Sequence, residues 1–110
     1  MEQIIAIPIE SEAGLSSEVS SHFGKAPFYL LYNTETNTSK VIKNTSHHFG
    51  GKVHPPVMIK NAGATCVITG SIGDHAKELF KKFDIAVYIG LGNTIQETID
   101  LYKDGKLQLG

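Results

Sequence analysis

Residues 66–89 read CVITGSIGDHAKELFKKFDIAVYI, and this stretch decides the fold. Cys66–Thr69 is a short, largely apolar run of strand length, as expected for a strand buried on both faces. Gly70-Ser71-Ile72-Gly73 follows at once. Ala76, Leu79, Phe80 and Phe83 then fall at i, i+3, i+4 and i+7, which predicts an amphipathic helix with Lys77, Lys81 and Lys82 mostly off the apolar face. Residues 85–89 (IAVYI) form a second apolar run, ending at Gly90-Leu91-Gly92. Short apolar strands alternating with a helix predict an α/β domain with a partly parallel sheet.

Upstream, Ile4–Ile9 (IIAIPI) is another apolar strand, and Pro8 near its end predicts that ladder pairing stops there. Residues 28–32 (FYLLY) and 41–43 are two further strands, joined as a hairpin by the turn-rich NTETNTS. Pro55 and Pro56 open a short helix through Val57, Met58, Ile59 and Ala62, closed by Gly63. Downstream, Thr94 with Glu97 three residues on makes a capping-box pattern for a last helix carrying Ile95, Ile99 and Tyr102, and Asp104-Gly105 stops it. Residues 10–26 and 44–56 read as long polar loops. Segments 11–24 and 45–54 lack the apolar side chains to pin them, which predicts more motion there than in the strands.

The 110 residues, 41% hydrophobic and 19% charged, suit a single domain spanning 1–110. Ten Lys plus Arg against eleven Asp plus Glu leave a net charge of -1, without the positive field that non-specific nucleic-acid or anionic-membrane binding uses. One cysteine permits neither an internal disulfide nor a CxxC pair. The N-terminus has no basic n-region, and no apolar run approaches the ~20 residues that span a bilayer, so a soluble, cytoplasmic protein is expected.

Ligands of open α/β sheets bind outside the carboxyl ends of the strands, near the switch in strand order. All five histidines map to that edge: His22 in the first loop, His47 and His48 in the second, His54 at its far end, and His75 in the first turn of the helix after Cys66–Thr69. Neutral imidazole ligates iron, copper, nickel and zinc, so His22, His47, His48 and His54 are candidate ligands, with plain solvation of loop histidines as the alternative. Gly70 to Gly73 offers N–H groups at a helix N-terminus as an anion site, or glycines that a tight turn needs. Cys66, between apolar neighbours, reads as a small core hydrophobe. No Ser-His-Asp spacing appears, and the central strands supply no carboxylate for two-metal hydrolysis.

Ser21-His22-Phe23-Gly24-Lys25-Ala26-Pro27-Phe28, the Asn44 to Gly51 segment, Val67-Ile68-Thr69-Gly70-Ser71-Ile72-Gly73 and the ending from Tyr88-Ile89-Gly90 to Leu107 together resemble the dinitrogenase iron-molybdenum cofactor biosynthesis family, which includes NifX and the C-terminal part of NifB. The resemblance implies a ribonuclease H-like, three-layer α/β/α fold with a five-stranded mixed sheet in order 3-2-1-4-5. It implies binding or carrying of an iron-sulfur or iron-molybdenum cluster precursor without catalysis, with a protein partner in cofactor delivery. His22, Phe23, Gly24, Gly70 and Gly73 match the family pattern; Ser21, Ser71 and Gly90 stand beside them as cofactor-binding candidates. The alternatives are a pocket for a phosphorylated metabolite or nucleotide, and a regulatory module with a protein partner.

Overall fold

In the computed structural model, residues 3–44, 54–92 and 94–109 are described. The elements run β1 (Ile4–Ile9), β2 (Phe28–Asn33), β3 (Thr38–Lys43), α1 (Pro55–Asn61), β4 (Cys66–Thr69), α2 (Asp74–Lys82), β5 (Ala86–Ile89), α3 (Ile95–Lys103) and β6 (Gln108–Leu109). They build one mixed sheet in the order β3-β2-β1-β4-β5-β6. β1 and β4, and β4 and β5, pair in parallel, and the other neighbours are antiparallel. The first five strands follow the expected order, but the sheet has six strands rather than five. The sixth pairs only Leu109 with Tyr88 and Gln108 with Ile89, and two residues are too few to show an alternating period in sequence.

Helices cover both faces of the sheet, because successive strand side chains point to opposite sides. Ala6, Tyr29, Leu31, Val67 and Val87 face Ile59 of α1 and Phe80 of α2. Ile5, Ile7, Leu30, Cys66 and Ile68 face Ile95 and Ile99 of α3. The Thr94 hydroxyl accepts the Glu97 N–H at 3.1 Å, so the capping pattern does start α3. Gly63, at φ +92°, turns the chain out of α1.

Pro8 stops the ladder on one side only. Pairing with β2 runs on to Ile9↔Phe28, whereas pairing with β4 is confined to Ile5↔Cys66 and Ala6↔Val67. Alternate residues of an antiparallel strand turn their N–H and C=O away from that partner, so a residue without an N–H is tolerated there. The Pro8 carbonyl is taken instead by the Ser20 N–H at 2.8 Å.

The segment 11–24 is better pinned than its composition suggests. It carries a short 3-10 turn at Gly14–Ser16, a bridge from Val19 to Ile9, and a bond from the Glu10 N–H to the Glu18 carbonyl at 2.9 Å. Ser17, Ser20 and Phe23 are buried. Its pins are backbone groups and small hydroxyls, which an apolar count does not register. The corresponding expectation for 45–54 falls, apart from His54, outside the described residues.

Phe80 is fully buried, and its ring meets that of Phe23 edge-on at 5.2 Å. Phe80→Ala should lower the unfolding free energy by about 3–5 kcal/mol in a denaturant titration, while exposed Lys81→Ala should change it little. Equal effects would place the core face of α2 elsewhere.

Candidate functional site

The site begins with a buried clamp. Phe23 is 1% exposed, with its ring 5.0 Å from that of Tyr29. The Tyr29 hydroxyl donates to the Phe23 carbonyl at 2.7 Å. The Asn44 amide donates to the Ala26 carbonyl at 2.8 Å and to the Tyr29 hydroxyl at 3.2 Å. Polar atoms this deep need partners, and here they hold residues 23–26 to the sheet. Burial raises the Tyr29 pKa above the ordinary phenol value, so its O–H stays a donor.

With Phe23 directed inward, His22 is exposed. His22 and Ser71 form a parallel bridge outside the strands. The Ser71 N–H donates to the Ser21 carbonyl at 2.8 Å, and the Phe23 N–H donates to the Ser71 carbonyl at 3.2 Å. The Ser71 hydroxyl lies 2.8 Å from His22 Nδ1 and donates to the Ser21 carbonyl at 3.1 Å. His22, Gly24, Lys25, Ser71, Ile72 and Gly73 line a shallow depression of about 370 Å³ at the carboxyl ends of the parallel strands. Two grooves of similar size, about 380 and 390 Å³, lie against β3 and against β6, and neither is lined by a histidine or cysteine.

Six of the candidate residues, Ser21, His22, Phe23, Gly24, Ser71 and Gly73, thus belong to one place. Gly70 is needed there for close approach, since a Cβ would lie 3.0 Å from the Ser21 carbonyl oxygen and 3.0 Å from Leu91. Gly90 has an internal reason instead: φ is +138° and a Cβ would fall 2.7 Å from Leu107. The expected row of free N–H groups over Gly70 to Gly73 is interrupted, because Ser71 spends its N–H on Ser21. Gly73 remains open. It caps α2 with no side-chain hydrogen bond, and nothing lies within 4 Å of where its Cβ would be.

The described histidines divide rather than converge. His54 caps α1, and its ring lies 5.1 Å from that of His75, with no described contact to His22. His47 and His48 lie outside the described residues. Among the described residues, no three His, Cys, Asp or Glu side chains gather as a metal cage. Cys66 is buried on the α3 face, as expected of a core hydrophobe. Burial pushes its thiol up to about 11, against smaller opposing effects of hydrogen bonds with Tyr102 and Thr65. Tyr102 is pushed up to about 12, again chiefly by burial.

Residues 3–105 match the family described as dinitrogenase iron-molybdenum cofactor. An uncharacterized protein of Methanocaldococcus jannaschii is 30% identical over 109 residues, covering 94% of this chain and 88% of that protein. Among solved structures, a Thermotoga protein provisionally named NifB is 29% identical, with a TM-score of 0.81 over 97% of this chain and 92% of its own. The apo form of the orange protein from Desulfovibrio gigas shares the fold at 23% identity, with a TM-score of 0.88 over 98% of this chain and 92% of its own. No helix among the described residues is long and apolar enough to cross a membrane.

Tyr29→Phe removes the donor to the Phe23 carbonyl and should cost about 1–3 kcal/mol by denaturant unfolding. Cys66 ionises near its ordinary value of 9.0 when unfolded but near 11 when folded. Over that interval the folded chain binds more protons than the unfolded one, so this group's contribution is complete below pH 9 and is lost as pH rises through 11. Unfolding free energy measured across that window should fall, and by less in Cys66→Ala.

Proposed function

The chain belongs to the dinitrogenase iron-molybdenum cofactor family, and on that footing we propose that it is a non-enzymatic binding or carrier protein for an iron-sulfur or iron-molybdenum type cluster, or its precursor. The observation that carries this reading is His22: exposed, tied through Nδ1 to Ser71, with no described hydrogen bond on Nε2. A neutral imidazole is a suitable donor to iron. Lys25 and the open N-terminus of α2 at Gly73 line the same depression and favour negative charge in the cargo. The depression is shallow and open, which suits a cargo that is taken up and passed on.

The non-enzymatic part of the reading is supported by the strands around the switch point. β1 and β4 carry Ile5, Ala6, Ile7, Val67 and Ile68, with no carboxylate to hold hydrolytic metals, whatever chemistry a ribonuclease H-like label suggests. A cytoplasmic location and a protein partner that receives the cluster complete the proposal. The pocket for a phosphorylated metabolite is disfavoured, because Ser71 spends its N–H on Ser21.

Anaerobic reconstitution with iron and sulfide should give a coloured protein with visible charge-transfer absorbance. His22→Ala should lower cluster loading severalfold with little change in thermal stability, since the ring is exposed. Phe23→Ala should instead destabilise by about 3–5 kcal/mol. Unchanged loading in His22→Ala would sink the assignment, and protection by inorganic phosphate alone would favour the phosphate pocket.

A further inference from the structure

We infer that Ser71 is a positioning residue that holds the neutral His22 ring as its Nδ1–H tautomer and so presents Nε2 as the donor atom. The part concerning the ring stands on geometry alone, and the part concerning a metal rests on the carrier reading. A serine hydroxyl has one hydrogen to give and lone pairs to receive. The Ser71 hydroxyl has two close neighbours, the Ser21 carbonyl at 3.1 Å and His22 Nδ1 at 2.8 Å. A carbonyl oxygen can only accept. Both contacts are hydrogen bonds only if the hydroxyl hydrogen points to Ser21 and the imidazole donates from Nδ1. A neutral ring has one N–H, so the lone pair is then on Nε2.

Ser71 is itself held. Its N–H is bound to the Ser21 carbonyl at 2.8 Å, and its carbonyl accepts from the Phe23 N–H at 3.2 Å and from the Thr69 hydroxyl at 3.1 Å. The Ser21 carbonyl accepts both the N–H and the O–H of Ser71, one for each lone pair. With β4 on one side and the buried Phe23 on the other, the backbone that carries the hydroxyl is fixed, and the bond from the hydroxyl to the Ser21 carbonyl leaves its lone pairs to accept from the ring. The opposite tautomer would turn this contact into competition for one hydrogen and place a proton on the outward nitrogen, where it blocks coordination. Partners that orient a ligating histidine in this way govern its availability to metal.

The test is imidazole nitrogen NMR on the uniformly ¹⁵N-labelled, metal-free chain, at a pH where the ring is neutral. His22 should show the Nδ1–H pattern in the native protein. Ser71→Ala should move it toward Nε2–H while amide dispersion shows the fold intact, and Ser71→Thr, which keeps the hydroxyl, should restore it. Cluster loading should fall about tenfold in Ser71→Ala and return in Ser71→Thr. A native ring in the Nε2–H form, or a tautomer indifferent to Ser71→Ala, overturns the inference. Loading that ignores His22 altogether overturns its role as a ligand and leaves the tautomer assignment standing, and a chain that takes up no cluster at all overturns the carrier reading.

Discussion

β1 and β4 run side by side in parallel, yet they pair at only two positions before Pro8 presents a nitrogen with no hydrogen. The gap beyond Ala6 and Val67 is filled by the chain returning from the first loop. Ser20 donates to the Pro8 carbonyl on one side, and Ser21 accepts from the Ser71 N–H on the other. Two strands of the central sheet are thus held together at their carboxyl ends by a borrowed segment rather than by each other. This is also where strand order switches, the crevice in which open α/β sheets place their ligands. The segment that repairs the ladder therefore also carries the exposed ring of His22.

That double duty explains why neighbouring residues have such different fates. Phe23 packs between Tyr29 and Phe80, in the layer formed with α1 and α2, while His22 one residue earlier is in solvent. The backbone between them is fixed by Ser71 on one flank and by the Tyr29 and Asn44 hydrogen bonds on the other. A ring on a loop is ordinarily costly to order, and here the core has already ordered it.

The layers were legible in sequence because their signals are periodic or chemically blunt. The spacing of Ala76, Leu79, Phe80 and Phe83, the apolar runs of β1, β4 and β5, and the Thr94 cap each leave a mark within a few residues. The edge on which the site lies followed from the strand order. Which residues meet there did not. Asn44 and Tyr29 gave no local sign that they clamp residues 23–26, since their partners lie up to 20 residues away. The commitment of the Ser71 N–H and the separate pairing of His54 with His75 are likewise products of tertiary contact. Gly90 read as a ligand-facing glycine because a steric demand from Leu107 and one from a cofactor look alike in sequence.

Cys66 points its sulfur into the layer under α3, where burial keeps it protonated. Thiolate is a softer donor to iron than neutral imidazole and is the usual ligand of iron-sulfur clusters. Here the lone thiol is sequestered behind the sheet, and on the carrier reading an incoming cluster at the depression would meet the His22 ring and Lys25. On that reading the attachment would be weaker than ligation by thiolate. A downstream acceptor furnished with cysteines could strip the cargo by ligand exchange, with no conformational change needed for release, so the direction of transfer would follow from donor softness alone.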